Sequence, residues 1–284
     1  MSGALQLRGP EAGAVTVLTA AGAPLFRYVF LPETPVGEAR RPYAHPVYSV
    51  AGDVLTNFRP NDHPWHHALS FTATSVDGVN FWGGPSHRSA DGYAWRGDHG
   101  EQRHEAWLEL APNRLVQELA WIDATGARTL LRESRVLTPR LVESGWALGW
   151  TSELRNVSGA PLTLHNYHSL GGLAGSHYTG LQFRGARDLL DDHGDASIGV
   201  RAEGGRSGEA AVHGATAEWM EWSCQHDTTL RRTRIRFEGA GAAPCWFVRA
   251  KNPLAACAFH REHPVVLPPG AVLRLDHLLT FTTP

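Results

Sequence analysis

The chain has 284 residues, 42% of them hydrophobic, enough to bury a substantial core in one large domain or two smaller ones. The formal net charge is -2, and Lys251 is the only lysine, so the remaining 25 of 26 basic residues are arginines. This near-neutral balance gives no reason to expect a nucleic-acid partner. Cys224, Cys245 and Cys257 are odd in number and widely spaced, which argues against a disulfide framework or a zinc knuckle. The opening MSGALQLRGPEAG does not read as a secretory signal, and no run of 18 apolar residues occurs. A soluble cytoplasmic protein without a membrane partner is therefore expected, and nothing in the sequence fixes its oligomeric state.

Taken in order, the elements read as strand after strand. AVTVLT, PLFRYVF, ALSFTATSV, RHEAWLEL, NRLVQELAWID, RTLLRESRVL, GWALGWTSELRN and APLTLHNYHSL carry alternation or β-rich composition, separated by turns such as DATGA and NVSGAP. NRLVQELAWID could pass as a short helix on composition, but no long segment sustains an apolar stripe of period 3.6. After residue 185 a Gly-, Ala- and Asp-rich stretch reads as a long loop region with short strands in it. EWMEWS, CWFVRA and VVLPPGAVLRLDHLLTF then resume the strand pattern to the end. The predicted fold is all-β, a large two-sheet antiparallel sandwich forming one domain over residues 1–284.

The most informative stretch is NDHPWHHALSF, residues 61–71, with His63, His66 and His67 within five positions. Histidine changes charge near neutral pH and is also the commonest metal ligand. If a strand begins near His66, alternation places His66 with the small residues Ala68 and Ser70, and His67 with Leu69 and Phe71. Adjacent His66 and His67 then diverge and are poorly arranged for one metal. A second cluster lies in APLTLHNYHSLGG, where Leu162 and Leu164 share one face and Thr163, His165 and Tyr167 the other. His165 is the expected cleft residue, and His168 reads slightly better as a loop histidine. No H-E-x-x-H, G-x-S-x-G or phosphate-loop pattern is present. Ten tryptophans would suit sugar rings and a sandwich core equally.

RPYAHPVYSVAGDVLTNFRPNDHPWHHALSFTATSVDGVNFWGG resembles the signature region of the PmoA-like bacterial proteins, and the resemblance continues through LLRES, AEWMEWS and CWFVRAKNP. DHPWHH and GVNFWG are its most specific elements. More distantly, LRNVSGAPLTLHNYHSLGG and VVLPPGAVLRLDHLLTF resemble strands of the aldose epimerases. That resemblance implies a galactose-mutarotase-like supersandwich with the HPWHH histidines and His165 on one sugar cleft. It also implies a catalytic glutamate near RAKNP, where Arg249, Lys251 and Asn252 supply no carboxylate. Glu133 in LLRESRVL could substitute for it, or pair with Arg132 or Arg135.

The function expected is a carbohydrate-active enzyme in which His66, His165 and Glu133 move protons on a sugar or oxidised sugar, by epimerisation, elimination or bond cleavage. Asp62, His63, His67, Trp82, His104, His168, Arg249 and Asn252 are the expected substrate contacts. No metal ligand is assigned. The alternatives are an enzyme with a histidine-bound divalent ion, and a sugar-binding protein without catalysis.

Overall fold

Alternating apolar residues and closely spaced turns give this chain strands rather than helices. Strand makes up 54% of the structure and helix 3%. The structure is a computed structural model that describes residues 4–191, 193–240 and 244–284. An eight-stranded antiparallel sheet runs from Leu5–Glu11 through Ala14–Thr19, Pro24–Val29, Tyr43–Val47, Leu69–Thr72, Gly180–Arg184 and Leu254–Ala258 to Cys245–Arg249. A ten-stranded sheet faces it. Its long central strands Arg114–Ile122, Thr129–Val142, Gly145–Asn156 and Val272–Thr282 pair in register with few interruptions.

The core lies between these sheets. Phe26 stacks on Trp146, Phe71 meets Trp121, and Phe183 packs on Trp222 and Phe281, each pair joining one sheet to the other. Removing such a ring from a sealed core typically costs about 3–5 kcal/mol. Because side chains alternate along a strand, a residue next to a core residue in sequence points away from the second sheet. In Gly180–Arg184 the core positions are Leu181 and Phe183, so Gln182 and Arg184 face outward. That outward face carries the site.

Residues 185–219, expected to be loops with short strands, contain the strands Leu189–Leu190, Gly199–Ala202 and Arg206–Ser207 and a one-turn helix, Glu209–Val212. Among the described residues no helix is long and apolar enough to cross a membrane.

Candidate functional site

Three neighbouring strands make the floor of a cavity on the outward face of the first sheet. Leu254 stands directly opposite both Arg184 and Arg249, and Ala256 stands opposite Gln182 and Phe247. The first row brings two guanidinium groups to either side of a leucine. Above it, Trp82, Phe247 and Leu254 pack into one apolar cluster with Trp65 and Tyr178. The cavity they border has a volume of about 510 Å³ and is also lined by His63, His66 and Lys251. A site of this size with aromatic walls and a few convergent polar groups has the usual make-up of a small-molecule pocket.

The walls are held by buried polar groups rather than by regular strand. Arg41, fully buried, donates to the carbonyls of Trp82 at 2.9 Å and Trp65 at 2.8 Å, and to the hydroxyl of Ser70 at 3.1 Å. One side chain thus ties two wall segments to the sheet. Asn80 shapes the second segment: its side-chain oxygen accepts the N–H groups of Trp82 and Gly83 at 2.9 and 2.8 Å. Gly84, at φ +71°, adopts a backbone conformation that favours glycine, and a methyl there would enter the Trp65 ring.

Asp62, His63, His66 and Arg184 form the polar end of the cavity. The Asp62 carboxylate lies 3.0 Å from His63 Nδ1 and accepts from Arg187 at 2.9 Å and more weakly from Arg184 at 3.3 Å. Burial raises the Asp62 carboxyl pKa, but the His63 hydrogen bond and the Arg184 charge outweigh it and hold the group well below the usual carboxylate range. An ionised Asp62 accepts from the His63 Nδ1–H, which leaves Nε2 as the ring nitrogen the carboxylate does not engage. The His63 ring stacks on His66 at 4.8 Å. His66 is 4% exposed, and its pKa is driven well below the ordinary value by burial first, then by the Arg184, His63 and Arg41 charges. Its imidazole is neutral at pH 7. An Arg184 N–H approaches His66 Nδ1 at 3.5 Å, which favours the tautomer with the proton on Nε2. The two rings therefore differ in their partners: His66 Nδ1 faces the Arg184 N–H, whereas His63 Nδ1 faces the Asp62 carboxylate.

Of the residues singled out in the sequence, Asp62, His63, His66, Trp82, Arg249 and Asn252 line this one cavity. The others stand elsewhere. His165 borders a neighbouring cavity of about 550 Å³ with Asp77, His87 and Asp98, and its Nδ1 lies 3.1 Å from Ser169 Oγ. Among the described residues only Tyr167 lines both cavities. His165 is the last residue of the strand Leu162–His165, and it lines a different cavity from His66. His67 has no exposed surface: its Nε2 lies 3.0 Å from Glu38, which also pairs with Arg59. Ala68 at φ +49° precedes the strand, so alternation does not extend back to His66 and His67, and both are buried in different surroundings.

Glu133 lies in the core between the sheets. It accepts from Arg135 at 2.8 and 2.9 Å, Trp121 at 2.8 Å and Ser152 at 2.7 Å, and has no exposed side-chain surface. The carboxylate is consumed by its neighbours, and the pairing with Arg135 is the reading the structure supports. His104 accepts from Gln117 at 2.9 Å and packs against Phe30 and Trp107 on the second sheet. His168 packs on His177 at 4.5 Å in the loop after the His165 strand. Neither borders the Asp62 cavity. Trp65, Tyr178, Arg184 and Lys251 line it but were not singled out as site residues. The alternation in LQFRG was the available signal for Arg184. Among the described residues no group of three or more His, Cys, Asp or Glu side chains is placed to hold a metal ion.

Fold and site together define an antiparallel β-sandwich with an aromatic and cationic pocket on the outer face of one sheet. The chain belongs to the family of unknown function DUF6807, which it matches over residues 15–283. The PmoA-like resemblance has no counterpart in the comparisons. No curated protein matches the sequence. Among solved structures the chain is similar to a galactose mutarotase related enzyme from Lactobacillus acidophilus, at 7% identity and a TM-score of 0.39, covering 99% of this chain and 98% of that one. It is similar to a galactose mutarotase-like protein from Clostridium acetobutylicum, at 9% identity and a TM-score of 0.35, covering 100% and 99%. A polysaccharide lyase matches at 8% identity and a TM-score of 0.39 over 99% of this chain, which spans only 32% of the lyase.

Proposed function

We propose that the Asp62 cavity binds a sugar or a keto-sugar and that His63 and His66 move a proton on it. The observation that carries this reading is the Asp62–His63 pair, with His63 stacked on His66, in the lining of an aromatic-walled pocket. Aromatic faces suit the C–H faces of a sugar ring, and the polar end suits its hydroxyl and carbonyl oxygens. Next to a carbonyl, His63 Nε2 takes the carbon-bound proton, and the electron pair moves onto the carbonyl oxygen. The His66 N–H donates to that oxygen as its charge develops. Return of the proton from His63 to the same face gives exchange alone; delivery of a proton by water to the opposite face, with His63 releasing its own proton to solvent, gives the epimer. Loss of a leaving group from the next carbon gives elimination.

The test is exchange of carbon-bound hydrogen in D₂O, followed by NMR on a panel of hexoses and 3-keto-hexosides. His63→Ala and His66→Ala are each expected to slow exchange by about 10²–10⁴-fold, the usual size of an acid–base contribution. Binding of the same sugars without exchange in the wild type would reduce the reading to a binding protein. No binding of any sugar would overturn it.

A further inference from the structure

We infer that the ligand of the Asp62 cavity carries an oxyanion group, and that Arg184 and Lys251 receive it. This rests on the cavity being the sugar site proposed above, and it names the charge of the sugar. Arg184 is the central observation. Its side chain is 4% exposed, yet none of its hydrogen bonds to described residues is shorter than 3.3 Å. Its Nε is buried with no hydrogen-bond partner among the described residues. A guanidinium has five N–H donors, and a buried one left under-bonded is costly unless a further acceptor arrives. The nearby carboxylate does not fill that need, because Asp62 makes its shorter contacts to Arg187 and His63.

The surrounding charges point the same way. Arg184, Arg249 and Lys251 line the cavity against the single carboxylate of Asp62, a formal +2 with the histidines counted neutral. Arg249 makes all its hydrogen bonds through Nη1, to His213, Val248 and, at 3.5 Å, Glu209, and its guanidinium lies over the Phe247 ring at 4.5 Å. Lys251 is exposed and has no ion-pair partner among the described residues. In a chain that otherwise uses arginine for every basic position, its one lysine stands at this rim. A planar guanidinium suits a carboxylate, sulfate or phosphate oxygen pair, and a mobile ammonium adds a point charge. Trp65 and Tyr178 leave an apolar wall for the ring that bears the group.

The experiment is calorimetric titration of the full chain with matched ligands: a neutral hexose, its uronic acid, its 6-sulfate and its 6-phosphate. At least one anionic member is expected to bind about tenfold or more tightly than the neutral parent, and the preferred member identifies the oxyanion. Lys251→Ala, at an exposed position, is expected to cut that preference several-fold without affecting folding. Arg184→Gln is expected to abolish it. If Arg184→Gln fails to fold, the Lys251→Ala arm and the salt dependence of the preference still decide. Equal binding of neutral and anionic sugars, or a preference unmoved by Lys251→Ala and by salt, would overturn the inference and leave the proposed sugar site standing. No binding by any of the four would instead sink the sugar site itself.

Discussion

Replacing His277 with leucine is expected to remove one defined part of the protein's acid sensitivity. His277 stands on the core-facing row of the last strand with Leu279 and Phe281, is 8% exposed, and has both ring nitrogens buried without a partner. Burial lowers its pKa from 6.5 to about 4, against a small opposing effect of Asp276. The unfolded chain therefore takes up this proton at higher pH than the folded one. The sign follows: stability is fully present above pH 6.5, falls as the pH drops towards 4, and changes no further below that. Between pH 7.5 and 5.5 the loss from this one group is about 1.3 kcal/mol, using 1.36 kcal/mol per pKa unit. Urea unfolding of the wild type and His277→Leu at both pH values isolates it, because the other buried histidines are common to both proteins and cancel in the difference. The wild type should lose about 1.3 kcal/mol more than the variant on acidification. The reasoning fails if the two proteins lose stability in parallel.

Glu133→Gln should cost about 3–5 kcal/mol of stability by leaving Arg135 buried without its counter-charge, while proton exchange per folded molecule stays at the wild-type level. A hundredfold loss of exchange with an unchanged melting temperature would give Glu133 a chemical role after all. His165→Ala should change exchange less than about twofold, far below a general acid–base contribution, since its ring borders the neighbouring cavity. Gly84→Ala should weaken sugar binding and destabilise the fold by about 1 kcal/mol or more, because it strains a left-handed position and displaces Trp65. Ligand titration followed by tryptophan fluorescence would show both effects, and wild-type affinity would refute the account of the wall.

Most of the fold was legible because strand periodicity is a local signal. AVTVLT and GWALGWTSELRN coincide with the strands Ala14–Thr19 and Gly145–Asn156, and the other predicted segments overlap strands of the two sheets or of the smaller strand group that includes Leu162–His165 and Val265–Leu267. Leu5–Glu11, Tyr43–Val47 and Arg232–Ala240 lie outside the predicted segments, as do Gly180–Arg184 and Leu254–Ala258. The last two are buried at every position, and LAACA in Leu254–Ala258 carries no polar alternation at all. Together with Cys245–Arg249, these two strands form the floor of the candidate site.

The site was half legible for a related reason. Residues 62, 63, 66 and 82 announce themselves by composition, and they do meet in one cavity. What aligns them is long-range: Arg184, about 120 positions further on, closes the His66 side, and Arg41 fixes both wall segments through backbone carbonyls. A carbonyl acceptor leaves no mark in the sequence, so the role of Arg41 could not be read from it. The expected pairing of His66 with His165 placed both on one cleft, whereas the two line neighbouring cavities. Alternation holds through Leu162–His165 but does not extend back from Leu69 past Ala68, at φ +49°, to His66. The sign of the pocket depends on the same long-range geometry. Strand register puts Arg184 and Arg249 either side of Leu254, and no stretch of sequence short enough to read as a motif contains all three. A binding charge assembled across three strands can therefore be strong in the folded protein while the chain as a whole stays close to neutral.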